Sequence, residues 1–415
     1  MSNTIPQLAS VLQSLFTADA DRLAKETGFV KRVRKIGGGD FARALVFGWL
    51  DRPDATVEEL AEGLPVTPAA LDFRITDTAC DFLRALLSLA VGYAVAGSPL
   101  AAPLLRSFRG VYIEDMTDLG RHAGKALVRY ELTSGRVESL EVLPAKASEV
   151  PSSRRLEPLP AGSLRLADRA FFDGGELRGM SDRGAHFITR VPTATLVWFG
   201  GCGQFEPITD WLHRQTADCL DVPALASEAD PVAGRLLARR CPKAVAAKRL
   251  RSLEKTARRK QRVVSRRQRI MCKWEVFLTD LPADTYGPAE IEVLGRCRWQ
   301  VELLFKRFKS LGGVGDSRGL RPARRMAEVL AKLLGALISE WAAMLDGGPL
   351  ARTSPTARVR RVRRAARRVV AALFDIVRLM EVLSDLVEGF ARLRDRRNRR
   401  SPSARQLVFR PGLMG

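Results

Sequence analysis

Three acidic residues in this sequence stand where a carboxylate could be held rigidly: Asp115, Asp168 and Glu302. Asp115 closes the apolar run VYIED and Asp168 closes LRLAD. If both runs are strands of one sheet, both carboxylates sit at strand ends, where a stiff backbone can bring them within a metal ion's reach of each other. Glu302 lies in RCRWQVELLFKRFKSL, inside a stretch from Pro288 to Leu311 that reads as one long helix. At about 100° per residue, Arg298, Lys306 and Lys309 fall within roughly 40° of Glu302, while Val301, Leu304, Phe308 and Leu311 cluster on the other side. Such a face suits phosphodiester chemistry, because carboxylates bind magnesium while Arg and Lys hold phosphate. It equally describes an ion-paired surface stripe, and helix geometry alone does not separate the two.

Nearby residues sort by the same reasoning. Strand alternation turns Glu114 to the face opposite Asp115, and Asp118 begins a turn. Asp173 and Glu176 read as acids at a helix N-terminus, where the dipole favours them. Arg169 and Arg190 could contact phosphate or form surface ion pairs. Trp299, about 60° round the helix from Glu302, could stack on an unpaired base, or serve as a core or rim tryptophan.

The elements that must position these residues can be read from periodicity. Residues 1 to about 98 read as helical; Thr56 and Glu59 have capping-box spacing, and a helix follows over Asp77 to Tyr93. Beside the basic run Lys31, Arg32, Arg34, Lys35, these short helices suit a small DNA-reading module or a helical cap. From Gly110 the pattern turns to strands: Val111–Thr117, Lys125–Leu132 and Val137–Leu143, the last two joined by the turn Thr133-Ser134-Gly135-Arg136. Then come a strand over Ser163–Ala167, a helix over Phe172–Asp182 and a strand over His186–Val191. Three strands followed by alternating helix and strand is the order of a ribonuclease-H-like α/β domain. Residues 194 to 284 interrupt it, with Arg or Lys at about every second position from Arg249 to Arg269, before a strand resumes at Trp274–Leu281. After a linker near Gly347–Thr356 comes a helix with an arginine-loaded start, an apolar middle and an arginine-rich end over Arg392–Arg400.

A formal charge of +22 on 415 residues suits a polyanionic partner such as nucleic acid. Six cysteines without a C-x-x-C pair and three histidines (His122, His186, His213) exclude a zinc site of usual spacing and read as reduced, structural thiols. The N-terminus offers no basic n-region or cleavage site, so a cytoplasmic protein is expected. The uncharged stretch Ala85–Leu105 is interrupted by Gly92, Gly97, Pro99 and Pro103 and reads as a buried helix and loop rather than a membrane span.

Three segments in order resemble the insertion-sequence DDE transposases of the fourth insertion-sequence family. RCRWQVELLFKRFKSL is similar to its signature of Tyr, two residues, Arg, three residues, Glu, six residues, Lys, with Arg298, Glu302 and Lys309 in the matching places and Gly295 where the tyrosine is expected. VYIEDMTDLG and LADRAFFDGGELRGMSDRGAHFITRVP are similar to its two aspartate segments, and GFVKRVRKIGGGDFARALVFGWL extends the resemblance toward the N-terminus. The resemblance implies a ribonuclease-H-like, retroviral-integrase-like core interrupted by a mainly β insertion. It also implies Asp115, Asp168 and Glu302 as ligands of two magnesium ions, for which manganese can substitute. The activity it implies is cut-and-paste transposition through a hairpin on the transposon end, by a homodimer bound to terminal inverted repeats and to target DNA. In that family the tyrosine helps to hold a DNA phosphate, so its absence bears on phosphate handling more than on metal binding.

The expected organisation is a helical DNA-binding region over 1–98, core segments over 105–193 and 285–345 around the insertion at 194–284, and a basic helical region over 357–415. The competing classes are a catalytically inactive, transposase-derived DNA-binding protein and another ribonuclease-H-like nuclease.

Overall fold

The structure, a computed structural model, describes residues 5–409 except 94, 96, 98–101, 121–122, 201–202, 318, 346–352 and 394–403. His122, Cys202, Pro99, most of the expected linker and the arginine-rich end beyond Leu393 lie outside the described residues. The chain opens with helices α1 (Ile5–Phe16), α2 (Ala18–Glu26), α3 (Gly38–Asp51), α4 (Val57–Ala61), α5 (Pro68–Arg74) and α6 (Asp77–Gly92). Strands β1 (Val111–Asp118), β2 (Lys125–Glu131) and β3 (Val137–Leu143) follow, then α7 (Glu149–Ser153), β4 (Leu164–Ala167), α8 (Gly174–Asp182) and β5 (His186–Arg190). Next come β6 (Leu196–Trp198), β7 (Glu206–Pro207), α9 (Ile208–Arg214), β8 (Cys219–Ala226), β9 (Val232–Arg240), α10 (Lys243–Arg259), α11 (Arg266–Met271) and β10 (Trp274–Thr279). The chain continues as α12 (Pro288–Cys297), α13 (Trp299–Ser310), α14 (Pro322–Met344), α15 (Pro355–Arg364), α16 (Ala366–Ala372) and α17 (Ile376–Ala391).

These elements form two compact units, one of Met1–Ala101, Met116–Ala147 and Trp299–Arg405, the other of Ala102–Asp115, Ser148–Arg298 and Gln406–Gly415. The first is built round α14, whose residues from Ala327 to Met344 are all buried. A helix buried on every side needs neighbours on every side, and α3, α6 and α15 supply them. The hairpin β2–β3 packs on α6. Its turn is held by Glu131, whose carboxylate accepts from the backbone N–H and hydroxyl of both Thr133 and Ser134, and Gly135 supplies the left-handed backbone at φ 75°. Thr56 and Glu59 form the expected capping box.

In the second unit the strands lie in the order β1-β4-β5-β10-β9-β8-β6-β7. β1, β4 and β5 are parallel; from β10 outward the pairings are antiparallel. Leu177, Phe187, Val197, Leu236, Trp274 and Leu278 pack together in its core.

Three expectations are corrected. The segment 194–284 is mixed rather than mainly β: the run of cations from Arg249 lies on α10, 17 residues without a buried side chain, and on α11, started by a Ser265–Gln268 capping box. The long helix expected over Pro288–Leu311 is two helices interrupted at Arg298. The C-terminal helix is three, broken at Ala365 and again where Asp375 caps α17 by accepting from the N–H groups of Val377 and Arg378. Short polar caps end helices that apolar periodicity alone runs together. No helix among the described residues is long and apolar enough to cross a membrane.

Inside the first unit, Arg307 donates to both oxygens of Glu340 at 2.6 and 2.8 Å, with the side chains 7 and 3% exposed. Removing one partner of such a pair strands the other's charge. Arg307→Ala is therefore expected to lower unfolding free energy by about 3–5 kcal/mol. Arg307→Met with Glu340→Leu should recover most of it, as read from urea denaturation of the full chain.

Candidate active site

The second unit brings Asp115 and Asp168 to the same end of neighbouring parallel strands. The register runs Val111↔Leu164, Tyr112↔Arg165, Ile113↔Leu166, Glu114↔Ala167, so one step further sets Asp115 against Asp168. β4 stops there because Asp168 caps a short 3-10 turn over Arg169–Phe171, its Oδ1 accepting from the Arg169 N–H at 2.8 Å. Asp118 likewise starts a turn, accepting from the Gly120 N–H at 2.6 Å.

The two strands are locked from their other face. Glu114, turned away from Asp115 as alternation requires, is buried against Arg165 of β4, Nε to Oε2 2.7 Å, both side chains 1% exposed. Arg165 also reaches Glu176 at 3.1 Å. Asp173, as expected, caps α8 by accepting from the Glu176 N–H. From the sequence Glu176 reads only as a helix-start acid, and Arg165 is missed. The signal for it is a lone cation inside the apolar run LRLA, paired in register with a strand that carries an acid, Glu114, on the matching face.

Cations gather at the aspartates. Arg298 is buried and donates from Nη1 to Asp115 Oδ2 at 3.2 Å. Arg190, at the end of β5, donates to Glu275 Oε1 at 2.8 Å and stands over the Phe277 ring. Burial pulls the Arg190 pKa down against the attraction of Glu275 and Asp168, yet an arginine stays protonated throughout the working range. Arg169 is exposed. Arg169 and Arg190 line a cleft of about 480 Å³ with Arg249 of α10, which in the sequence is one of many cations in a basic run. Arg249 also shares Glu275, at 3.5 Å.

Glu302, Lys306, Lys309 and Trp299 belong to the first unit, on α13. The two faces drawn from the sequence are present: Val301, Leu304 and Phe308 are buried, Glu302 and Lys309 half-buried, Lys306 exposed. Arg307, assigned to neither face, is buried toward Glu340. Trp299 is 56% exposed, which removes it from the core and leaves its ring open to a partner.

Gly295, at the position where the family signature has a tyrosine, is buried on α12 against Phe277. A Cβ there would lie 2.7 Å from Phe277 Cε1 and 2.8 Å from Cζ. The Phe277 ring is itself 3% exposed, so a side chain at 295 and this ring placement exclude each other.

Among the described residues, no three His, Cys, Asp or Glu side chains converge into a group that could hold a metal ion. The five described cysteines are free; burial pushes the Cys297 thiol up to about 12 and Cys80 to about 11. The aspartate pair itself suits a hard divalent cation, which takes oxygen ligands, better than zinc, which favours the nitrogen and sulfur absent here.

This is a mixed α/β chain with a large sheet whose strand ends carry paired aspartates among arginines. Comparison with known proteins gives the class a family: the sequence model of the transposase DDE domain matches residues 109–338. The chain belongs to the transposase DDE domain family. It is 23% identical over 362 residues to the transposase for insertion sequence element IS231F of Bacillus thuringiensis subsp. israelensis, covering 77% of this chain and 76% of the relative. It is 23% identical over 372 residues to the IS231E transposase of subsp. finitimus, covering 79 and 77%. To InsL for insertion sequence element IS186A of Escherichia coli K12 it is 30% identical over 186 residues, 43% of this chain and 50% of the relative.

The Gly295–Phe277 contact is testable. Gly295→Ala is expected to cost about 1–3 kcal/mol through overpacking, and Gly295→Ala with Phe277→Leu to recover most of it, measured as a shift in denaturation midpoint. A wild-type midpoint in Gly295→Ala alone would show that the ring yields freely.

Proposed function

We propose that this chain is the cut-and-paste transposase of a bacterial insertion sequence, that its core from β1 onward is ribonuclease-H-like, and that Asp115, Asp168 and Glu302 are its metal ligands. The observation that carries the reading is the register that sets Asp115 against Asp168 in a chain of the DDE family. The order β1-β4-β5, all parallel, and the antiparallel hairpin β2–β3 support the core.

In this reading the two aspartates and Glu302 hold two magnesium ions. When bound, such ions supply an attacking oxygen at neutral pH and neutralise charge on the phosphate under attack. The protein's own part is positioning. Asp115 and Asp168 stand on strand ends and move little. Arg298 donates to Asp115, and a guanidinium at that place is the group that suits a phosphate oxygen. Lys306 and Lys309, on the side of α13 that carries Glu302, and Arg169 and Arg190, beside Asp168, offer cations to the DNA backbone. Trp299 offers an open ring to an unpaired base at the transposon end.

Water cleaves one strand at the transposon end and leaves a 3′ hydroxyl. That hydroxyl attacks the opposite strand to give a hairpin, which is reopened before the 3′ end is joined to target DNA. Each joining step exchanges one phosphodiester for another, so no outside energy source is needed. The duplexes are the terminal inverted repeats and the target, bound by a homodimer in the cytoplasm, with manganese able to replace magnesium. Helices α1–α6 are the module proposed to read the repeats.

Alanine at any of the three carboxylates should abolish magnesium-dependent cleavage of the element's own ends while leaving end binding within about threefold, since binding rests on phosphate contacts that these acids do not make. Cleavage retained by Asp168→Ala would overturn the assignment, and wild-type binding without cleavage would favour the inactive DNA-binding class.

A further inference from the structure

The arginines of α15 and α16 fall into two groups by what they touch. Arg358 is buried: it donates to Thr353 Oγ1 and the Ala343 carbonyl, and its guanidinium stands 5.5 Å from the Phe390 ring centre. Arg363 donates to the Leu50 carbonyl and Arg367 to Asp51. These three hold the first unit together. Arg360, Arg361 and Arg364 have no ion pair among the described residues. They line, with Arg368 and with Arg392 beyond α17, a cleft of about 510 Å³.

We propose that this cleft is a binding site for the phosphate backbone of duplex DNA, separate from the aspartate pair. The inference rests on the transposase reading, because that reading supplies the DNA. The cleft's acids are Asp385 and Glu388, and Asp385 is taken by Arg368 at 2.5 Å. Five guanidinium groups therefore face two carboxylates in one concavity, an imbalance that costs stability through like-charge repulsion until an anion enters. Arg360 and Arg364 stand four residues apart on α15, about 6 Å of helix rise, and Arg368 follows on α16. A row of cations matches a polymer of regularly spaced charges better than a single small anion.

α17 is shaped to keep one of them in place. Gly389 is buried, and a Cβ on it would lie 2.0 Å from Arg361 Nε and 2.2 Å from Cζ. Any other residue would drive the guanidinium out, so the glycine leaves a notch for the Arg361 head group.

The test is binding of the full chain to duplex DNA across a salt series, for wild type, the triple variant Arg360→Gln/Arg361→Gln/Arg364→Gln and the matching triple lysine variant, on end-bearing and unrelated duplexes. Each phosphate that a cation no longer neutralises lowers the slope of log K against log salt by about 0.9, so the glutamine variant should lose about 2–3 in slope. Its affinity for both duplexes should fall by the same factor, since phosphate contacts carry no sequence. The lysine variant should keep the slope. Removal of unpaired cations should leave the thermal midpoint unchanged or raise it. An unchanged slope in the glutamine variant, while wild type cleaves its ends, overturns this site and leaves the transposase reading standing. Failure of wild type to bind or cleave any end overturns both. A glutamine variant that does not fold makes these arginines structural, and an altered association state with unchanged slope gives the cleft to a protein partner; either overturns the proposal.

Discussion

The parallel register of β1 on β4 is the constraint on which the proposed chemistry depends. A slip of one residue would put Glu114, not Asp115, on the face shared with Asp168. The buried pair on the other face makes such a slip costly. Arg165 sits between Glu114 and Glu176, so every charge there has a partner in this register, and in a shifted one at least one charge would be stranded without water. Buried ion pairs contribute little net stability, because desolvation offsets their attraction. Their value here is in specifying one alignment over its neighbours.

Arg298 extends that logic to the chain's path. The backbone passes between the two compact units after Asp115 and again after Arg298, and these two residues form an ion pair. The ion pair therefore joins the second unit's chain at both of these crossing points. Arg298 also marks the helix break: it is buried beside Asp115, and α13 starts afresh at Trp299. Glu302 is then presented by a separate helix rather than by the far half of a single rod.

Legibility followed the range of the forces involved. Strand alternation, the Thr133–Arg136 turn and the Thr56–Glu59 cap depend on residues a few places apart, and each is where its sequence pattern puts it. The apolar and polar sides of α13 were readable for the same reason. The interruption at Arg298 is not, because the backbone there keeps right-handed helical angles and nothing in the local pattern marks a stop. Arg165 was hidden likewise: its partners come from β1 and α8, and a single cation in LRLA looks locally like an error in the pattern. The cations from Arg249 to Arg269 fall at about every second position when charge spacing is followed, which suggests no helix, whereas as far as Arg259 the structure follows the helix propensity of KAVAAKRLRSLEKTARR. Glu302 as a metal ligand rests on the family motif, since its own helix would present the same face in an ordinary surface ion-pair stripe.

An arginine-rich chain makes net charge a weak guide to function, because guanidinium groups fill several incompatible roles. Arg307 and Arg165 are buried with carboxylates and Arg358 with carbonyl and ring acceptors; all three would be as necessary in a protein that never met DNA. Arg190 and Arg249 share a single carboxylate, Glu275, and so keep positive charge to spare beside Asp168. What separates a structural arginine from a binding one is therefore the balance of acceptors within its reach, a property of the folded surface that composition cannot carry. By that measure, the excess cations concentrate where β5 and α10 adjoin the aspartate strand ends and, independently, along α15 and α16. At each, guanidinium groups outnumber the carboxylates within reach, an imbalance that the fold itself leaves open.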